Sequence, residues 1–149
     1  MYTLSNVQNH GNPLYLTING MKFLVFHGQG SDKIFQSLFK IKEQNPVMGF
    51  AQLLEYRHLS PEYGSFASTA PYSKDYLVIN EIPDVLVTGH LHMANYGIHK
   101  GVRIVSCGSF KQPSSNQSET KKDSSVGVFP VIDTITGEIT LFDLNSIAR

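Results

Sequence analysis

Two histidines separated by one residue follow a short apolar run and a glycine in Asp84-Val85-Leu86-Val87-Thr88-Gly89-His90-Leu91-His92. A neutral imidazole is a common nitrogen ligand for zinc, manganese and iron, and it works only if its ring nitrogen is held about 2 Å from the ion. In extended backbone, residues two apart point to the same side, so His90 and His92 are expected to face one cavity. An exposed loop would also accommodate such a pair, since short motifs match by chance. A third histidine repeats the layout: the apolar run Met21–Phe26 ends at His27, which precedes Gly28-Gln29-Gly30. Ligands of α/β proteins collect beyond the carboxyl ends of the strands. Three imidazoles from two distant segments, His27 with His90 and His92, are therefore expected in one crevice. The Gly28-Gln29-Gly30 turn could cradle phosphate with its amides, but it lacks the further glycine of a nucleotide-binding fingerprint.

Other reactive side chains fit bland roles better. Asn9-His10 has no apolar segment before it to position a metal pair. His58 follows a helical pattern in Arg57-His58-Leu59-Ser60-Pro61, where a histidine favours the helix C-terminus without any function. His99, in His99-Lys100-Gly101, is expected at an exposed turn. Cys107 reads as a small buried apolar residue rather than a nucleophile. The polar stretch from Gly108 to Ser125, with Lys111, Gln112, Lys121 and Lys122, could follow a phosphate backbone, but its composition also fits a solvated loop.

Rigid elements must hold these residues. Val85, Leu86 and Val87 leave no polar face, as in a strand covered on both sides, and Gly89 is expected to take the angles of the sharp turn that ends it. Leu14–Ile18 and Met21–Phe26 flank Asn19-Gly20, the sequence of a type I′ hairpin. The residues before them, through Asn12-Pro13, read as loop. A helix capped by Ser31-Asp32 is predicted to about Ile41, with Ile34, Phe35, Leu38 and Phe39 inward. A second opens at Asn45-Pro46 and buries Val47, Phe50, Ala51 and Leu54. The irregular segment from Arg57 to Lys74 suits the rim of a site or a partner contact. Paired strands are predicted at Tyr96–Ile98 and Val102–Val105, and a closing hairpin at Val126–Asp133 and Ile139–Phe142 about Thr136-Gly137.

The chain has 149 residues, the size of one domain with a core, and no internal repeat. Twelve basic residues offset twelve acidic ones, so no global field draws it to nucleic acid, although a local patch or a partner could. With Cys107 the single cysteine, no internal disulfide forms, which fits a reducing compartment. No apolar run reaches the roughly 18 residues of a membrane span and no signal-peptide layout opens the chain. A cytoplasmic protein with no membrane association is expected.

With these residues named, the order His27-Gly28, Gly89-His90-Leu91-His92, Gly108-Ser109-Phe110 is similar to the last motifs of calcineurin-like metallophosphoesterases. Arg57 to Gly64, Asp75 to Ile79, Ile82-Pro83-Asp84, Tyr96-Gly97 and Gly101-Val102 together more closely resemble the small subunit of the archaeal D-family DNA polymerase. The resemblance runs from about Asn12 to about Asp133. It implies an α/β sandwich of two sheets flanked by helices and a site for two divalent metal ions, Mn2+ foremost with Zn2+, Fe2+ or Mg2+ as alternatives. It also implies 3′–5′ exonuclease proofreading at a DNA 3′ end beside a large catalytic subunit. Carried over by position, His27 and His90 would bind one metal and His92 the other.

The family's earlier Asp-x-His, Gly-Asp and Gly-Asn-His motifs have no recognisable counterpart here, and Gln8-Asn9-His10-Gly11 lacks the flanking glycine and acid. Lys111 and Pro113-Ser114-Ser115 stand where a glutamine- and threonine-rich stretch is expected. Residues 1–149 therefore look like the C-terminal part of a metallophosphoesterase domain, cut from a longer protein or encoded separately. Three imidazoles without carboxylates would hold two cations poorly. The expected function is thus part of an exonuclease centre that needs its other motifs, with a non-catalytic polymerase scaffold as the rival. A free-standing metal-binding module is a third reading, and weak metal uptake by the chain alone is expected instead. Apolar faces left uncovered by a missing half predict an aggregating or oligomeric chain.

Overall fold

The computed structural model describes residues 6–37, 45–61, 72–111 and 125–147. Its centre is a five-stranded mixed sheet in the order β1-β2-β3-β5-β4. The strands are β1 (Leu14–Ile18), β2 (Met21–Phe26), β3 (Val85–Thr88), β4 (Asn95–His99) and β5 (Val102–Ser106). A second sheet pairs β6 (Val128–Ile132) with β7 (Ile139–Asp143), and a 3-10 turn at Leu144–Ser146 follows. The helices among the described residues are α1 (Ser31–Ser37) and α2 (Pro46–Tyr56), and none there is long and apolar enough to cross a membrane.

Local chemistry accounts for the elements. Asn19 and Gly20 have φ of 51° and 80°, the left-handed pair that a type I′ turn needs to close β1 on β2. The side chain of Asn45 accepts the Val47 N–H and Pro46 takes the first helical position of α2. Arg57 ends that helix in a left-handed conformation (φ 56°), and its N–H and that of His58 bond to the carbonyls of Leu54 and Leu53. Ser31 does not act as a cap. It is the first helical residue, and its buried hydroxyl has no hydrogen-bond partner among the described residues. The predicted end of this helix, Leu38 to Ile41, lies outside the described residues, as do residues 62–71 and 112–124 of the two long polar segments.

Alternation along the strands divides the core in two. Leu24, Phe26, Leu86 and Ile104 pack with Ile34, Phe35, Phe50 and Leu53 of the helices, whereas Phe23, Val85 and Val105 pack on the opposite face with Ile139 of β7. β3 is the middle strand, and Val85 and Leu86 are wholly buried on opposite faces. A strand with no polar face is thus the one covered on both sides. Arg103 joins the sheets, its Nε donating to the carbonyl of Gly137 at 2.7 Å.

Candidate metal centre

β2, β3 and β5 are parallel, and Phe26, Thr88 and Ser106 stand side by side in register at their carboxyl ends. The chain leaves the sheet at one edge three times: into His27-Gly28, into Gly89-His90 and into Cys107-Gly108. The exits are tied together. The Gly89 N–H donates to the His27 carbonyl at 3.1 Å, and the Cys107 N–H donates to the Thr88 carbonyl at 2.8 Å.

At this edge Nε2 of His27 and Nδ1 of His90 are 3.3 Å apart, with ring centroids at 5.2 Å and planes at 75°. A neutral imidazole has one donor and one acceptor nitrogen, so the pair shares one proton. The separation also suits two ligands of one ion, because nitrogens about 2.0–2.1 Å from a tetrahedral metal lie roughly 3.3 Å from each other. His92 does not complete a cluster: among the described residues, no three His, Cys, Asp or Glu side chains converge to hold a metal ion. The residues present therefore fit two positions of one metal and not a closed site for two. The imidazoles expected as ligands at His27 and His90 come together, and no three-ligand group with His92 forms among the described residues.

The backbone here differs from the extended run that the His-x-His spacing implied. β3 ends at Thr88, and His90 and His92 both adopt left-handed conformations, with φ of 66° and 59°. The Leu91 N–H closes a tight turn on the Gly89 carbonyl at 2.7 Å. Alternation of side chains along a strand consequently does not apply at these positions. Gly89 is not the residue with special angles, for its φ is not positive, and a side chain there would meet the His27 carbonyl only at 3.5 Å. The histidines carry the turn instead. For a residue with a side chain the left-handed region costs on the order of 1–2 kcal/mol, and such conformations persist where the surroundings enforce them, often at functional sites.

Gly28 is the glycine this edge requires. Its φ is 90°, and a Cβ there would lie 3.2 Å from the Gly89 carbonyl oxygen, 3.3 Å from the Phe50 ring and 3.7 Å from the His90 Cβ. The approach of the two histidine-bearing segments leaves little room for a side chain at position 28. Gly108 is similarly confined by the carbonyls of Ser125 and Val128, which ties the third exit to β6.

The remaining candidates are engaged elsewhere. His10 is exposed and contacts the Gln8 side chain at 3.2 Å. The Nδ1 atom of His58 accepts the Ser60 N–H (3.0 Å), so Nε2 carries the proton and donates to Asp75 (2.9 Å). That bond holds the Asp75 carboxyl below its ordinary range. The half-buried ring of His58 is thus a fixed tie rather than a solvated helix end. His99 is not at an exposed turn: it is the last residue of β4, and Nε2 meets the Glu55 carboxylate of α2 at 2.5 Å. Burial pushes the Cys107 thiol up, so it stays protonated at neutral pH and is no thiolate nucleophile.

One contributor escaped the sequence reading. Asn12 Oδ1 accepts the His27 N–H at 2.8 Å. In the sequence Asn12-Pro13 reads only as loop punctuation, and nothing in the pattern links position 12 to position 27.

Comparison with known proteins identifies the family of the chain. The family of DNA polymerase alpha/epsilon B-subunits matches residues 1–97. The DNA polymerase II small subunit of Archaeoglobus fulgidus is 37% identical over 114 residues, covering 76% of this chain and 23% of that protein. The DNA polymerase II small subunit of Methanocaldococcus jannaschii is 34% identical over 133 residues, covering 89% of this chain and 22% of that protein. The chain thus spans about a quarter of the length of these relatives. Among solved structures it is similar to Vps29 from Entamoeba histolytica complexed with Zn2+, with 15% identity, a TM-score of 0.45, and coverage of 92% of this chain and 62% of that one. It is also similar to a predicted phosphoesterase from Streptococcus pneumoniae, with 14% identity, a TM-score of 0.39, and coverage of 91% and 64%.

Proposed function

This chain belongs to the family of DNA polymerase alpha/epsilon B-subunits, and from that premise we propose that it supplies part of a metal-dependent 3′–5′ exonuclease centre in a DNA polymerase small subunit. The observation that carries the reading is the His27–His90 pair, two imidazole nitrogens 3.3 Å apart at the carboxyl edge of parallel strands. Residues 1–149 are the C-terminal part of the metallophosphoesterase domain, and the Asp- and His-bearing motifs that complete the centre come from outside them. A large catalytic subunit and a DNA 3′ end are the partners. A divalent ion, Mn2+ first, would activate water and stabilise charge on the phosphate oxygens when bound.

The chain's own residues do three things in this reading. His27 and His90 each present one nitrogen, and both can serve as ligands once each ring turns its unprotonated nitrogen to the ion, which a change of tautomer allows. Gly28 and the Gly89-to-His27 hydrogen bond set the spacing of the two segments. His92, in its left-handed conformation two residues on, is assigned to the second metal. The test is the assembled polymerase with its large subunit. His27→Ala or His90→Ala is expected to lower Mn2+-dependent 3′–5′ exonuclease activity at least a hundredfold while polymerisation persists, and unchanged exonuclease activity refutes the assignment.

A second reading is a non-catalytic polymerase scaffold that keeps the fold, for which membership of the B-subunit family is enough. It predicts that both variants leave every nuclease activity of the assembled polymerase untouched.

A further inference from the structure

We propose that Asn12 is a positioning residue that fixes the His27 imidazole by clamping its main chain; this rests on the reading of His27 as a metal ligand. The register of the first hairpin pairs Leu14 with Val25, so its continuation would set residue 13 against Phe26 and residue 12 against His27. Residue 13 is proline, which has no N–H to extend the ladder, and pairing stops at Leu14. His27 is therefore the first residue beyond β2, at a strand end that would otherwise fray. The Asn12 side chain takes over where the ladder stops, its Oδ1 accepting the His27 N–H at 2.8 Å. On the other side the His27 carbonyl accepts the Gly89 N–H at 3.1 Å.

Both polar groups of the His27 main chain are thus held, one by Asn12 and the other by the exit of the central strand. Fixing the peptide groups on either side of a Cα fixes the direction of its Cα–Cβ bond, and so the arc on which the ring can lie. The consequence is the short separation from His90. The bond from Asn12 reaches the His27 main chain and not its ring, so its effect on a bound ion acts through the placing of His27.

The test uses the intact protein with Asn12→Ala, which removes the acceptor, and Asn12→Asp, which keeps one. Without metal, amide hydrogen exchange at His27 in Asn12→Ala is expected to quicken about five- to tenfold, the loss of one hydrogen bond, while the β3 amides Leu86 and Val87 keep their rates. The imidazole nitrogen shifts that report the His27–His90 pairing should move in the same variant. Zn2+ affinity by calorimetry is expected to fall about tenfold, and Asn12→Asp should restore all three readouts. Unchanged exchange at His27, equal acceleration at Leu86 and Val87, or no rescue by Asn12→Asp overturns the proposal. If the unsubstituted protein takes up no Zn2+, the metal reading fails, while the exchange and ring-pairing measurements still decide the role of Asn12.

Discussion

Replacing Gly28 with alanine tests whether the two histidine-bearing segments are held together by the missing side chain at that position. Two effects add. A φ of 90° is closed to ordinary side chains, and an L-residue in the left-handed half of the map costs on the order of 1–2 kcal/mol. The new methyl would also stand 3.2 Å from the Gly89 carbonyl oxygen and 3.3 Å from the Phe50 ring. Neither can easily move: the carbonyl belongs to the exit of the central strand, and Phe50 is fully buried. Overpacking of that kind costs about 1–3 kcal/mol, giving roughly 2–5 kcal/mol in all, a large share of the stability of a domain. Gly101 supplies the control, because its φ is 84° but nothing lies within 4 Å of an added Cβ. Gly101→Ala should lose only the conformational part, about 1–2 kcal/mol. Denaturant midpoints of both variants, with the imidazole signals of His27 and His90 followed by NMR, separate the two contributions. Gly28→Ala should be the more destabilised and should alone disturb the ring pairing. Equal midpoints, or undisturbed rings in Gly28→Ala, refute the close-approach argument.

Three further outcomes follow from the structure. The Glu55 carboxyl is held below its ordinary 4.5, by Lys100 first and then His99. Its contribution is present at neutral pH and disappears as the pH falls through the lowered folded value. Denaturation of Glu55→Gln should thus differ from that of the unsubstituted protein at pH 7 and coincide with it at strongly acid pH; a gap that persists in acid argues against the tie. Cys107, with its thiol raised by burial, should react with iodoacetamide far more slowly in the folded protein than in denaturant at the same pH, whereas equal rates would mean an open thiol. The isolated chain, which exposes Phe110, Phe142, Leu144 and Ile147 beside the second sheet, is expected to self-associate in sedimentation experiments, and a single monomeric boundary with a cooperative melt contradicts this.

Much of the fold was legible because its signals are local. Asn19-Gly20 announced the first hairpin through the left-handed angles it adopts, Asn45-Pro46 the start of α2, and Val85-Leu86-Val87 a strand buried on both faces. The family likeness read from the spaced motifs also agrees with the DNA polymerase small subunits to which the chain is similar. The misreadings share a physical origin. Side-chain alternation does not extend past β3 to His90 and His92, because β-geometry stops at Thr88 and the two residues are left-handed. Gly89 drew attention by its type, yet Gly28 bears the constraint, since close approach is a property of the partner segment and not of the residue. His99 and Asn12 escaped for the same reason. Their partners, Glu55 and His27, lie 44 and 15 residues away, and no periodicity marks such contacts.

The most direct test of the central claim, that His27 and His90 are two ligands of one ion, is anomalous diffraction at the zinc edge from crystals of the intact protein soaked in Zn2+. The account predicts a peak about 2.0–2.1 Å from both Nε2 of His27 and Nδ1 of His90, with the ring-to-ring hydrogen bond gone. A peak on other residues, or rings still sharing their proton with zinc absent between them, contradicts it.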